Sequence, residues 1–407
     1  MSSRRLVGAS ALLLASLTLA ACDAGSALSG DPDDGSSSSS GASGGSGGAD
    51  AAGQKPAGRV ATNVKRGATV GVDRVVQVTA KDARLTSVTL SSASGAVDGA
   101  IADDGARWTA SDRLEPGETY TVKALAEGAD GKPVRRTSRF ETSPLSLEQQ
   151  TYPSVSPLAG ETVGVGMPVV VSFDVPVTDQ AEFERHMTVT SKPAQRGTWH
   201  WLSATEAHWR PAMYWQAGTK VSVAVDVNGV AAGNGIYGQE DRVVDFEVGD
   251  AHVYKVNAKT HQMKVYSNGK LLRTLPITTG KPGFTTRSGT KVILEKFDRK
   301  RMNSETVGIA AGSAEAYDID DVQWAMRVTY SGEFIHAAPW STGSQGHANV
   351  SHGCTGMSTA DAGWLYDLSR RGDVVEYTGT DRPMTLDNGY GDWNASFKDY
   401  AQGSALR

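Results

Sequence analysis

The sequence predicts a mainly β protein: two immunoglobulin-like β-sandwich domains, then a third β-rich domain with one main helix and a C-terminal extension. Three observations lead there. Short segments of alternating apolar and polar residues recur from about residue 57 to residue 249, the period-two pattern of half-buried strands. Turn signals, among them Asp104-Gly105, Pro116-Gly117 and Asp130-Gly131, separate these segments. At 407 residues the chain is too long for one ordinary domain.

The N-terminus reads as a signal peptide over residues 1–21. Arg4 and Arg5 form a basic start, and "LVGASALLLASLTLAA" is an apolar run too short to span a bilayer with margin. "SSRRL" also resembles a twin-arginine signal. The run ends in "LAAC", Leu19 to Cys22, which resembles a bacterial lipobox and implies lipidation of Cys22. An ordinary signal peptide with an incidental cysteine is the alternative. No later stretch is apolar enough to cross a membrane, so membrane contact is expected through a lipid anchor alone, two or more acyl chains acting together. Residues 22–56 are dominated by Gly, Ser, Ala and Asp and have almost nothing to bury, so they read as a disordered linker. Random-coil scaling gives such a tether a reach of roughly 30 Å.

Residues 57–143 form the first predicted sandwich, with "RVVQVTA", "LTSVTL", "RWTAS" and "TYTVKALAE" as strands. Residues 144–249 form the second, from "GMPVVVSFDVPV" through "DRVVDFEV". Neither holds the cysteine pair of an antibody domain. Trp199, Trp201, Trp209 and Trp215 cluster in the second, either as core packing or as an aromatic sugar-binding face. His200 and His208 flank the same strands and read as structural.

Residues 250–380 form the third domain. Asn268-Gly269 marks a tight hairpin, because both residues tolerate the positive φ of a type I′ turn. A helix is predicted over 359–371: Ser358 with Asp361 makes a capping start, Trp364, Leu365 and Leu368 a stripe, Arg370 and Arg371 the last turn, and Gly372 the stop. A strand, "DVVEYTG", follows. Residues 381–407 form the extension, where Trp393, Phe397 and Tyr400 supply apolar surface for packing back.

The formal net charge is −5. Asp23, Asp31, Asp33, Asp34 and Asp50 all precede the predicted domains, so the folded part is nearly neutral. Nucleic acid, which wants a basic surface, is not an expected partner. If Cys22 carries lipid, Cys354 is left unpaired in a compartment that permits disulfides. A buried structural cysteine is the bland explanation, but His352, Gly353, Thr355 and Gly356 flank it rather than an apolar run.

A thiol attacks as thiolate, and a free cysteine with a pKa of about 8.5 is mostly protonated at neutral pH. An imidazole within hydrogen-bond reach can take that proton, given a third group that fixes its tautomer. His352 is near in sequence, whereas His336 ends the strand "RVTYSGEFIH" and can approach across a sheet. Gly353 lets the backbone bend so that its amide and that of Cys354 face an oxyanion. Two competing readings are a zinc site from His336, His347, His352 and Cys354, and a wall endopeptidase of Cys/His type. A metal-bound thiolate is not free to attack, and no His-Glu-x-x-His or His-x-His spacing occurs. The endopeptidases usually place cysteine before histidine.

"IHAAPW…GHANVSHGCTGMS" resembles the signature of the L,D-transpeptidase (YkuD-type) catalytic domain: His, a spacer, then Ser/Thr-His-Gly-Cys. "HVYKVNAKTHQMKVYSNGKLLRTLPITTGKPGFTTRSGTKVI" is similar to the opening of that domain, and "GYGDWNASFKDYAQGSA" to the C-terminal extension of actinobacterial members. The order of lipoprotein signal, two immunoglobulin-like domains and catalytic domain is similar as well.

The resemblance implies Cys354 as nucleophile and His336 as base, with the Ala337 carbonyl orienting the imidazole. His352 and Gly353 support the site near the oxyanion. Tyr317 matches a lid tyrosine, Ser331 and Gly332 a strand edge that binds substrate peptide by adding it as a strand, and Trp340 and Met302 pocket walls, for which plain packing is the alternative. Many members carry Asn or Arg where this chain has Gly356, which implies altered donor binding rather than lost chemistry. His347 stands either at the entrance or on a surface loop.

By the resemblance, the substrates are peptidoglycan stem peptides, a tetrapeptide donor and a diamino-acid acceptor. The product is a 3→3 cross-link made through a thioester with release of D-alanine. Neither cofactor nor metal is implied, carbapenems are expected to acylate the thiol, and the enzyme is expected outside the cytoplasm, lipid-anchored and facing the wall. An L,D-carboxypeptidase using water, or a wall-binding lipoprotein without activity, are the alternatives.

Overall fold

The computed structural model describes residues 57–407; the expected signal peptide, Cys22 and the linker up to residue 56 lie outside the described residues. The first sandwich follows from strict alternation. In Thr119–Gly128 the inward set Tyr120, Val122, Ala124 and Ala126 is buried, and the outward set is not. This strand pairs antiparallel with Pro133–Thr142 across a turn in which Gly131 has a φ of 75°. A four-stranded and a five-stranded sheet enclose Val78, Leu85, Trp108, Leu114 and Phe140.

The second sandwich has two four-stranded sheets and a three-stranded ribbon. Its four tryptophans point inward: Trp199, Trp201, Trp209 and Trp215 are 6%, 9%, 6% and 2% exposed. Three indole donors are bonded: Trp199 Nε1 to the Met187 carbonyl at 3.1 Å, Trp215 Nε1 to the Met167 carbonyl at 2.8 Å and Trp201 Nε1 to Glu184 at 3.0 Å. The cluster is therefore core packing, not a sugar-binding face.

In the third domain the strands are β1 His252–Asn257, β2 Gln262–Ser267, β3 Lys270–Pro276, β4 Gly289–Val292, β5 Glu295–Asn303, β6 Asp318–Arg327, β7 Phe334–Ala337, β8 Thr355–Met357 and β9 Val374–Thr378. Two sheets result, in the orders β3-β2-β1-β9-β4 and β5-β6-β7-β8. Asn268 and Gly269 have φ of 48° and 80°, so β2 and β3 are joined by the type I′ geometry expected. Between the sheets lie Tyr254, Met263, Ile277, Met326, Ile335 and Leu365.

The helix α1, Thr359–Leu368, starts as expected: the Ser358 hydroxyl accepts the Asp361 amide at 3.1 Å and donates to its carboxylate at 2.8 Å. It ends three residues earlier than expected. The amide and hydroxyl of Ser369 both return to the Leu365 carbonyl, at 2.9 and 2.6 Å. Lys296 Nζ then caps the carbonyls of Tyr366 and Ser369, at 2.7 and 2.5 Å. Arg371 is thereby freed from the helix and forks onto Glu161 of the second sandwich at 2.8 and 2.7 Å.

That ion pair marks a continuous contact. The core of the second sandwich includes Val292, Leu294, Val374 and Tyr390 of the chain beyond residue 250. Gly164 is obligatory there, because a Cβ on it would lie 2.2 Å from the Asp373 amide nitrogen. The C-terminal extension closes the joint. Trp393 donates to the Gly166 carbonyl at 2.7 Å and packs edge-on against Tyr214, while Arg210 lies over the rings of Trp393 and Tyr400. Asp392, fully buried, takes hydrogen bonds from His208 Nδ1 at 2.9 Å and the Tyr400 hydroxyl at 2.7 Å.

Burial alone lowers the His208 pKa, but Asp392 and Glu206 outweigh it and raise the imidazole from its usual 6.5 to about 9. Stability from this group is complete below 6.5 and is lost as pH rises toward about 9. The thermal midpoint should fall across that window. Asp392→Asn should flatten the slope and cost about 3–5 kcal/mol, since it strands a buried charge. Scanning calorimetry from pH 6 to pH 9.5 checks both; an unchanged slope in the variant refutes the assignment.

Candidate active site

The parallel pairing of β7 with β8 sets Ile335 opposite Thr355, His336 opposite Gly356 and Ala337 opposite Met357. Side chains two apart share a sheet face, so Cys354, one residue ahead of β8, shares the face of Gly356 and therefore of His336. Both line one cleft of about 300 Å³, together with Met302, Tyr317, Trp340 and His352. A second cleft of about 210 Å³ is also lined by Cys354, with Lys300, Arg327, Tyr330 and Gly332, and shares Met302 and Tyr317 with the first.

His336 is 6% exposed, and its Nδ1 lies 2.8 Å from the Ala337 carbonyl oxygen. A proton on Nδ1 donates to that oxygen and leaves Nε2 as a free acceptor. Burial lowers the imidazole pKa, so the ring is neutral near pH 7 and able to take a proton. Cys354 is shifted the other way. Burial and the nearby Glu333 push its thiol up to about 11, against the Phe334 amide and Lys291, which favour the thiolate. The thiol donates to the Gly332 carbonyl at 3.7 Å. The resting pair is thus a neutral thiol and a neutral base.

His352 stands at the rim. Its Nε2 is 2.8 Å from Glu315 Oε2, and its ring sits between Phe284 and Tyr317 at 4.6 and 5.1 Å. Glu315 also pairs with Lys281, and these two contacts hold its carboxyl below the usual range. Tyr317 and Glu315 belong to the segment joining β5 to β6, and Tyr317 lines both clefts with Cys354. Burial, with Cys354 beside it, raises the Tyr317 hydroxyl to about 12.

Two expectations change. Ser331 and Gly332 lie in the turn between β6 and β7, not on a strand edge. The Ser331 amide is engaged by Asn388 of the C-terminal extension at 2.9 Å, so it is not open for an added peptide strand. The Gly353 amide, expected at the oxyanion, donates to Ser351 Oγ at 3.1 Å. Trp340 lines the first cleft, as a pocket-wall position implies, and although 56% exposed it stacks over the His336 ring at 5.8 Å. His347 is exposed and lines neither cleft. Among the described residues no group of three or more His, Cys, Asp or Glu side chains is placed to hold a metal ion.

Gly356 is a steric necessity here. Its amide and carbonyl pair with Thr278, both at 2.9 Å, and a Cβ on it would lie 2.8 Å from the Cβ of Ala338 and 3.1 Å from Thr278 Cγ2. Ala338 occupies the space into which a larger residue at 356 would project.

Residue-by-residue reading missed a charged cluster behind the thiol. Lys291 on β4 is fully buried and pairs with Glu333, which also accepts the Arg287 amide and guanidinium, both at 3.0 Å. The only trace in the sequence is a lysine at an inward-alternating position of "GTKVI".

Residues 251–376 match the family described as the L,D-transpeptidase catalytic domain, and residues 67–231 match the family described as a bacterial Ig domain. L,D-transpeptidase 2 of Mycobacterium tuberculosis is 37% identical over 338 residues, which are 83% of this chain and 82% of that protein. L,D-transpeptidase 5 of the same organism is 33% identical over 341 residues, 81% of this chain and 73% of that protein. A solved LD transpeptidase in complex with imipenem is 38% identical, covers 55% of this chain and 97% of its own, and has a TM-score of 0.49.

Gly356→Ala should destabilise the protein by about 1–3 kcal/mol through overpacking. Adding Ala338→Gly should recover most of that loss, as read by denaturant titration. Simple additivity of the two changes would show that they do not share the space.

Proposed function

The chain belongs to the L,D-transpeptidase family and is an acyltransferase of that cysteine-dependent family; on that premise we propose that it forms 3→3 cross-links in peptidoglycan. Cys354 Sγ gives its proton to His336 Nε2 and attacks the carbonyl carbon between the diamino acid at the third position of a tetrapeptide stem and D-alanine. The C–N bond breaks, the leaving amine takes the proton back from His336, and D-alanine departs. The stem is left as a thioester on sulfur. The side-chain amine of a diamino acid on a second stem then attacks the thioester carbonyl and passes a proton to His336. The C–S bond breaks, and the sulfur recovers that proton. As written, the two half-reactions need no metal or organic cofactor.

One observation carries this reading: Cys354 lines two clefts. Hydrolysis needs one cleft and water, whereas transfer needs room for two stems. The leaving and the attacking amines both exchange protons with His336, so both occupy the cleft that His336 lines. The donor stem then lies in the cleft past Gly332. The neutral imidazole supports general-base attack, with proton transfer coupled to C–S bond formation rather than a preformed ion pair.

The same thiolate would open the strained carbonyl of a carbapenem and hold it as a thioester, with no atom lost from the drug. Export and a lipid anchor on Cys22 complete the proposal, supported by the "LAAC" sequence and the Gly/Ser linker that would lift the enzyme toward the wall.

Purified protein mixed with a disaccharide-tetrapeptide should release D-alanine and yield a cross-linked dimer, both read by mass spectrometry. Release with tripeptide as the sole product would replace the reading by a carboxypeptidase. Cys354→Ala should abolish release, and His336→Ala should lower it by roughly 10²–10⁴-fold. A carbapenem should add its full mass to the wild type and nothing to Cys354→Ala.

A further inference from the structure

We propose that the buried cluster of Lys291, Glu333 and Arg287 is an electrostatic counterweight to the Cys354 thiolate, with the two cations stabilising it and the carboxylate opposing them. The inference rests on Cys354 being the nucleophile. None of the three touches substrate in the reaction above, so they act as positioning residues, through the sulfur.

The geometry is a closed circuit around the thiol. The Gly332 carbonyl, which accepts the thiol hydrogen at 3.7 Å, belongs to the peptide joining Gly332 to Glu333. Glu333 holds Lys291 and Arg287. Lys291 Nζ lies 3.7 Å above the ring of Tyr377, whose hydroxyl meets Thr355 Oγ1 at 2.7 Å. Thr355 is the residue after Cys354. A second link runs from Thr286 Oγ1, one residue before Arg287, to the carbonyl of Gly353, one residue before Cys354, at 2.8 Å. The cluster thus grips the nucleophile's own backbone from both sides.

Cost argues for a role beyond holding the fold. A fully buried lysine loses its hydration, and a buried ion pair is often no more stabilising than apolar side chains of the same volume. Here the cluster sits behind a cysteine, and its formal charge is +1. A thiolate formed at that face feels the cluster directly: Glu333 disfavours it and Lys291, by less, favours it. Burial presses the Lys291 pKa down to about 8, while Glu333 and a Cys354 thiolate press it back up, so the two groups favour each other's charged form.

The other groups around the sulfur do not supply this field. His336 is neutral at rest, and burial keeps the hydroxyls of Tyr317 and Tyr377 protonated. At the rim Lys281 and Glu315 offset each other beside His352. In the second cleft Arg301 is paired with Asp318 and Asp320, and Arg327 with Glu295; Lys300 lies over the Phe297 ring.

The test is the pH profile of Cys354 alkylation by iodoacetamide, followed on the peptide that contains Cys354 so that Cys22 does not contribute. The full chain is compared with Glu333→Gln, Lys291→Met and Arg287→Gln. Removing the carboxylate should lower the midpoint of the profile by about one unit, removing the lysine should raise it by about one unit, and removing the arginine should raise it by less. Shifts of opposite sign are something a purely structural role does not produce. Unchanged midpoints in folded variants, or shifts of one sign in all of them, overturn the proposal. If Lys291→Met fails to fold, the opposed pair Glu333→Gln and Arg287→Gln decides alone. Alkylation needs no stem peptide, so an enzyme that alkylates as predicted but releases no D-alanine would count against transpeptidation only.

Discussion

One register governs the chemistry: His336 faces Gly356 across a parallel strand pair. Because sheet side chains repeat every second residue, that single pairing decides that the sulfur two residues earlier shares the imidazole's face. A slip by one residue would send Cys354 to the opposite face. The register is held from both sides, since Gly356 is bonded through amide and carbonyl to Thr278 on the far side from His336. Packing holds it too: Ala338 leaves no room for a Cβ at 356.

The second sandwich takes part in this rigidity. Its core runs without a break into Val292 and Val374, on the two strands that also position Lys291 and Tyr377. The C-terminal extension spans the joint. It buries Asp392 against His208 on one domain, holds Thr290 of β4 through Asn394 at 2.8 Å, and reaches Ser331 beside the thiol through Asn388. A segment that reads as an appendage is therefore a brace between the sandwich and both ends of the site.

Electrostatics around the sulfur set two demands against each other. A half-buried thiol with a raised pKa is slow to ionise unless a base is at hand, and a buried neutral imidazole lining the same cleft is in the protonation state that role requires. The imidazole can act only because its second nitrogen is occupied by a backbone carbonyl, which no side-chain substitution at Ala337 would remove. The charged cluster beneath adds a fixed field that neither partner carries alone.

Much of the fold is legible in the sequence. Strand alternation in Thr119–Gly128, the Asn268-Gly269 turn and the Ser358 cap are local: a few consecutive residues carry both the signal and its cause. The Ser-His-Gly-Cys motif, with a histidine ending an earlier strand, pointed to Cys354 and His336, which the structure sets in one cleft. The sequence alone also favoured an inward tryptophan cluster. Tertiary structure decided the rest. The helix stops at Leu368 because Lys296, distant in sequence, caps it and Glu161 draws Arg371 away. Ser331 loses its amide to Asn388, Gly356 is forced by Ala338, and Lys291 finds Glu333. Each of these depends on which distant segment returns to occupy the same few ångströms, and that is set by how the whole chain packs, not by the residues on either side.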